Sequence, residues 1–168
     1  ITSSGTVTSI ATTSPITGFA TSGTSQIPSQ TLLIPANNSG FVSYQIIPTF
    51  TGGTSCPGAA TEYKINVNPL PTPSISGNTL VCELQQTVVY TTLSNPGNSY
   101  NWIVTGASSV TNASTNSVTV TWGPYTASPG TLTVTETINA TGCQHTTAPY
   151  SVILQQRPIP TLAGSQTE

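Results

Sequence analysis

The chain has 168 residues and a net charge of −2, carried by two basic and four acidic residues, with one histidine and no aspartate. Two cations cannot neutralise a run of phosphates, which argues against nucleic-acid binding, and no apolar run reaches membrane-spanning length. Threonine and serine make up roughly a third of the chain, far above ordinary usage; threonine suits the wet face of a pleated strand, so low charge here does not spell disorder.

From Ile1 to about Asn68, short β-rich runs are separated by Gly, Pro, Ser and Asn. The expected strands are Thr6 to Ile10, Gln30 to Ile34, Phe41 to Ile47 and Tyr63 to Val67. The last alternates strictly, with Tyr63, Ile65 and Val67 on one face and Lys64 and Asn66 on the other, as a half-buried strand does. No apolar pattern of helical period runs for three turns, so no substantial helix is expected.

From Pro71 to Gln155 the expected strands are a short edge strand near Ser74 to Val81, then Thr87 to Thr91, Ser99 to Thr105, Ser117 to Trp122, Thr131 to Ile138 and Tyr150 to Leu154. Alternation assigns Trp102, Val104, Val118, Val120, Trp122, Leu132 and Val134 to the buried side. Strands at this spacing, joined by loops such as Asn95-Pro-Gly-Asn98, describe a sandwich of two facing sheets.

An internal repeat organises these elements. Pro71, Pro73 and Gly77 return as Pro158, Pro160 and Gly164 at an offset of 87 residues, and Cys56, Tyr63, Ile65 and Val67 match Cys143, Tyr150, Val152 and Leu154 at the same offset. Each Pro-x-Pro fixes φ twice and removes two donors, so it reads as an extended hinge between units. The period fits one immunoglobulin-like sandwich. The expected division is 1–69, a first sandwich lacking its N-terminal strand; 70–156, a complete second one; and 157–168, the opening strand of a following repeat. The start at Ile1 and the stop inside a repeated hinge suit a mature or excised part of something longer.

The cysteines follow the same repeat. Cys82 and Cys143 are expected to pair across 61 residues, which by loop entropy gives on the order of 4 kcal/mol; the competing reading makes them small buried hydrophobes. Cys56 corresponds to Cys143, so its own partner is expected upstream or on a neighbour. Disulfides imply an oxidising compartment and hence export.

The stretch Asn68-Pro-Leu-Pro-Thr-Pro-Ser-Ile-Ser-Gly-Asn-Thr-Leu-Val-Cys82, with Tyr100-Asn-Trp-Ile-Val104, Ser117-Val-Thr-Val-Thr-Trp122 and Ala140-Thr-Gly-Cys143, resembles a PKD-like, immunoglobulin-like repeat of large secreted surface proteins of Bacteroidota. Gly40 to Pro48 and Cys56-Pro-Gly58 resemble a related variety. The resemblance implies an all-β chain of tandem PKD-like sandwiches, serving as an adhesin, stalk or fibre and exported by the type 9 route.

Catalytic groups are sparse. His145 stands alone, and without aspartate no Ser-His-Asp triad forms. The four glutamates are scattered, so nothing in their spacing recommends paired-carboxylate chemistry, and three distant cysteines without a CxxC make no zinc site. No enzyme, cofactor or metal is expected. The leading reading is a non-catalytic spacer whose partners are neighbouring copies or covalently continuous repeats, with the tail from Arg157 to Glu168 able to complete a neighbour's first sandwich. The alternative is a glycan- or protein-binding module using Tyr100, Tyr125 or Trp122 at a sandwich end; core burial is the competing role for the tryptophans.

Overall fold

Alternation of threonine with apolar residues builds the strands. Extended backbone sends successive side chains to opposite faces, so each Thr-x-Thr-x run keeps hydroxyls in water and commits the intervening residue to the interior. The computed structural model of the chain describes residues 3–12, 16–24, 27, 29–35, 38–50 and 56–161. It divides into two units, Ile1–Leu70 and Pro71–Glu168.

In the first unit, β1 (Ser3–Thr12), β2 (Ser22–Thr24), β3 (Gly40–Phe50), β4 (Cys56–Pro57) and β5 (Thr61–Val67) form one sheet. The long strand β3 lies at its centre, antiparallel to β1 on one edge and to β5 and β4 on the other. Val42 faces Ile65 in that register, and Val42, Tyr44 and Ile16 form a core lined by Leu32, Ile34 and Val67 among others. Gln30 Oε1 accepts a 2.8 Å bond from the Tyr44 hydroxyl, which satisfies the one polar atom of a fully buried ring. The segment from Gln30 to Ile34, expected as a strand, pairs only through a bridge between Leu33 and Thr17. Among the described residues no second sheet faces the first, because the layer opposite β3 consists of loop side chains and this bridge. Tyr63, assigned inward by alternation, is exposed, although it lies opposite the buried Tyr44 in the register.

In the second unit, β6 (Leu80–Cys82), β7 (Val88–Thr91), β8 (Asn98–Thr105), β9 (Ala107–Thr111), β10 (Ser117–Trp122), β11 (Gly130–Ile138), β12 (Gln144–Thr146) and β13 (Tyr150–Gln155) make two sheets. One runs β7-β10-β9; in the other β11 pairs with β8 on one edge and with β12 and β13 on the other, and β6 extends the sheet beyond β13. Their inner faces meet in a single cluster that includes Val88, Tyr90, Val120 and Trp122 from the first sheet and Trp102, Leu132, Val134 and Val152 from the second. Each buried valine or leucine among these stabilises the fold by roughly 1.5–3 kcal/mol relative to exposure. A single 3₁₀ turn, Tyr125–Ala127, is the helical content of the described residues. The strands β9 and β12, which carry no strong apolar alternation, were not expected.

Tyr90 ties the opening segment to both sheets. Its ring stands edge-on to Trp122 and to Tyr150, with centroids 6.0 and 6.1 Å away, a favoured aromatic geometry. The hydroxyl donates to the Asn78 carbonyl at 2.9 Å, and Tyr150 donates to the Gly77 carbonyl at 2.6 Å. Gly77, expected as a hinge glycine, has a tighter role: a Cβ there would sit 2.3 Å from the Tyr90 ring.

Two predictions follow from this contact. Gly77→Ala must displace the Tyr90 ring, and urea denaturation is expected to find a loss of about 1–3 kcal/mol. Burial pushes the Tyr90 phenol up to about 12 from an ordinary 10.0. The folded value lies above the unfolded one, so this stabilisation is complete below pH 10.0 and is lost as pH rises towards 12. Denaturation midpoints measured across that alkaline interval are expected to fall, and to fall less steeply in Tyr90→Phe.

Candidate functional site: the two poles of the second unit

The strand directions of the second unit give it two distinct ends. An antiparallel bridge between Ser76 and Thr91 carries the residues before Ser76 towards the loop after β7, so the chain arrives at that end, here the upstream pole. β6 then runs parallel to β13, with Leu80 opposite Ile153 and Cys82 opposite Gln155. Both strands finish at the opposite end, the downstream pole, from which Arg157 and Pro158 lead away.

At the upstream pole the loop after β7 meets the turn after β11, where the Asn139 N–H donates to the Gly97 carbonyl and Ser99 Oγ to Asn139 Oδ1 at 2.8 Å. Beneath them lies Glu136, 1 % exposed. Its Oε1 accepts bonds from Asn95 Nδ2 at 2.7 Å, Asn98 Nδ2 at 2.6 Å and the Tyr100 hydroxyl at 3.4 Å. A buried carboxylate is tolerable only when so bonded, and in this place it fastens the Asn95-to-Asn98 loop to the core. Sequence reasoning passed over Glu136, yet the signal was there: it continues the inward series of Leu132 and Val134 along β11.

At the downstream pole Glu83 does for the chain exit what Glu136 does for the loop. Its backbone N–H donates to the Gln155 carbonyl at 2.8 Å. One carboxylate oxygen accepts the Tyr125 N–H and the other the Arg157 N–H, both at 3.0 Å, and Arg157 Nη2 reaches the Leu84 carbonyl at 3.1 Å. Bonds from the Tyr125 and Arg157 amides hold the Glu83 carboxyl below its usual range. Nothing in the sequence announces this clamp, which joins residues 74 positions apart.

The cysteines correct the expectation of a bridge within the unit. Cys56, Cys82 and Cys143 are all free thiols. Cys143 follows the Ile138 end of β11, where its carbonyl accepts the Ile138 N–H at 2.9 Å. Cys82 lies past the Gly130 end, because Gly130 is opposite Val152 while Cys82 is opposite Gln155. At about 3.3 Å per residue the length of β11 alone puts roughly 26 Å between the two poles, whereas bridged cysteines need Cα atoms within about 7 Å.

Other candidate residues separate clearly. Trp102 and Trp122 are core residues, and Tyr100 is buried with them, which removes Tyr100 and Trp122 as a sugar-stacking platform; Tyr125, 45 % exposed, is left at the downstream pole. His145 is exposed on β12, opposite Glu136 in the register. Among the described residues no group of three His, Cys, Asp or Glu side chains is placed to hold a metal, and no helix is long and apolar enough to cross a membrane. Pro73 is half-buried, Pro158 and Pro160 are exposed without strand pairing, and Gly164 lies outside the described residues. In the first unit an open recess of about 430 Å³ is lined by Ser39, Phe41, Asn66 and Asn68 among others, with Lys64 Nζ 3.8 Å from the Phe41 ring centre.

The Glu83 clamp has a pH signature. A lowered folded pKa gives stabilisation that is present above the ordinary value of 4.5 and lost as pH falls through the folded value. Protection of the Arg157 amide, measured by NMR as its exchange rate relative to the intrinsic rate at each pH, is expected to fall on acidification below that range, and Glu83→Gln is expected to show low Arg157 protection already at neutral pH. At the other pole, Glu136→Ala strands the side-chain amides of Asn95 and Asn98, and thermal denaturation is expected to show a loss of about 1–3 kcal/mol.

No curated protein matches the chain. A family model described as PKD-like domain matches residues 68–152, which covers the two sheets of the second unit through Val152 and includes Glu83 and Glu136 but not Arg157. The chain therefore belongs to the PKD-like domain family.

Proposed function

We propose that this chain is a non-catalytic structural segment of a secreted cell-surface adhesin, stalk or extracellular filament, in which sandwiches follow one another head to tail through the Pro71–Pro73 and Pro158–Pro160 segments. The observation that carries this reading is the parallel pairing of β6 with β13. Because the first and last strands lie side by side, the chain enters at one pole and leaves at the other, and tension on the two ends loads their hydrogen bonds in shear. Glu83 reinforces the exit by holding Arg157. Membership of the PKD-like family supports an extracellular repeat module. On this reading residues 1–69 and 70–156 are successive PKD-like units, residues 157–168 open a third, and neighbouring copies or continuous repeats are the partners, with a surface of bacterial cells of the Bacteroidota type as the setting.

Exposed Tyr125 and the recess beside Phe41 favour a second reading, a glycan- or protein-binding module acting through a unit's end. Force spectroscopy on the reduced chain, held by its two termini, separates the two. A spacer is expected to resist until the second unit yields in one all-or-none event, lengthening the tether by about 250 Å, the extended length of residues 76 to 155 less the separation of the poles. Gradual extension without such an event sinks the spacer reading, and binding on a glycan array that disappears with Tyr125→Ala would put the second reading in its place.

A further inference from the structure

The positions of the three thiols are complementary. In the second unit Cys143 marks the upstream pole and Cys82 the downstream one. In the first unit β4 holds Cys56 opposite Phe50 at the far end of β3, while the chain leaves from the other end, where Val67 faces Gly40. Cys56 thus occupies in its unit the place that Cys143 occupies in the next. The two hairpins correspond with a one-residue shift in the central strand: Val42 faces Ile65 in one and Gly130 faces Val152 in the other, Ile65 and Val152 being 87 residues apart and Val42 and Gly130 88. Upstream poles carry a thiol from the turn after the central strand, and the downstream pole carries one from β6. Cys82 and Cys56 are both exposed.

Resting on the spacer reading above, we propose that Cys82 of one copy forms a disulfide with Cys56 of the next copy, stapling a downstream pole to an upstream pole. The repeat puts the following hinge at Pro158, three residues after Gln155, and Gln155 is the residue opposite Cys82. The next sandwich in a series therefore starts beside this thiol. A bridge inside the unit is barred by the length of β11, and a Cys82–Cys82 bridge would set two downstream poles face to face and end the series at two copies. Cys143 is a poorer partner for a second copy, because the covalent chain from Leu70 already arrives at its pole.

The step balances with a low-molecular-weight disulfide as oxidant. The Cys82 thiolate attacks that disulfide, forming a mixed disulfide and releasing one thiol. The Cys56 thiolate of the next copy then attacks the Cys82 sulfur and releases the second thiol. Two protein thiols are oxidised, the small disulfide takes up two electrons, and the two protons end on the released thiols.

The test incubates the intact chain in a mixture of oxidised and reduced glutathione, blocks remaining thiols, and combines a non-reducing gel with mass spectrometry of the peptides. The expected result is a reduction-sensitive ladder containing a peptide that joins Cys82 to Cys56. Cys82→Ser and Cys56→Ser each abolish the ladder, and Cys143→Ser retains it. A bridge between Cys82 and Cys143 of one chain, Cys82–Cys82 dimers alone, or monomers with every thiol capped by glutathione would overturn the staple. Those outcomes leave the force response of the reduced chain untouched, so the staple can fail while the spacer reading stands.

Discussion

The second unit depends on the contact between the Tyr90 ring and its three neighbours, Trp122, Tyr150 and Gly77. Trp122 belongs to the same sheet as Tyr90, Tyr150 to the opposite sheet, and Gly77 to the segment that leads into β6. One side chain therefore decides how far apart the sheets stand and where the opening segment lies. With Gly77 held under the ring and its carbonyl bonded to the Tyr150 hydroxyl, the opening segment runs on beside β13 and in the same direction. The parallel β6–β13 pair, and with it the presence of two different poles, is a consequence of that packing.

Much of this was legible in the sequence because strand alternation is a local signal. Ser117 to Trp122 is a strand with its expected bounds, and its inward residues Val118, Val120 and Trp122 are fully buried. The strands β7, β8, β11 and β13 differ from expectation by one residue at an end, where pairing depends on the neighbouring strand as well as on the residue. What alternation could not give is which residues stand opposite one another. The Cys82–Cys143 expectation came from sequence spacing alone, and it fails in the register: a parallel β6 puts Cys82 beyond one end of β11 while the turn puts Cys143 beyond the other. The first unit was legible in its central hairpin and less so opposite it, since the strand potential of Gln30 to Ile34 finds a partner only at Leu33.

The candidate site divides in the same way. Glu136 could have been found, because a charged residue on the inward phase of a strand calls for buried donors, and Asn95, Asn98 and Tyr100 supply them. Tyr100 too follows the inward phase of β8, with Trp102 two residues on. Glu83 could not have been found: it lies in a turn, and its two backbone donors come from a 3₁₀ turn and from the chain end, neither close to it in sequence.

A chain with so few charges places them where hydroxyls would not serve. Threonines across β8, β11 and β12 satisfy one another in pairs, Thr105 with Thr131 and Thr135 with Thr146, both at 2.7 Å, and such cross-strand pairs hold an outer face without charge. A hydroxyl offers two lone pairs on one oxygen, however, whereas an ionised carboxylate spreads about four acceptor sites over two oxygens and binds its donors more strongly. Glu136 and Glu83 are used for that purpose, the first gathering the upstream loop and the second the departing chain. Faces made of short-range hydroxyl pairs tolerate salt, since screening acts on separated charges, and poles fixed by multiply bonded carboxylates keep the direction of the chain defined at each end. In this sandwich the multiply bonded acidic side chains, Glu83 and Glu136, thus stand at the poles, while the faces between them rest on hydroxyl pairs.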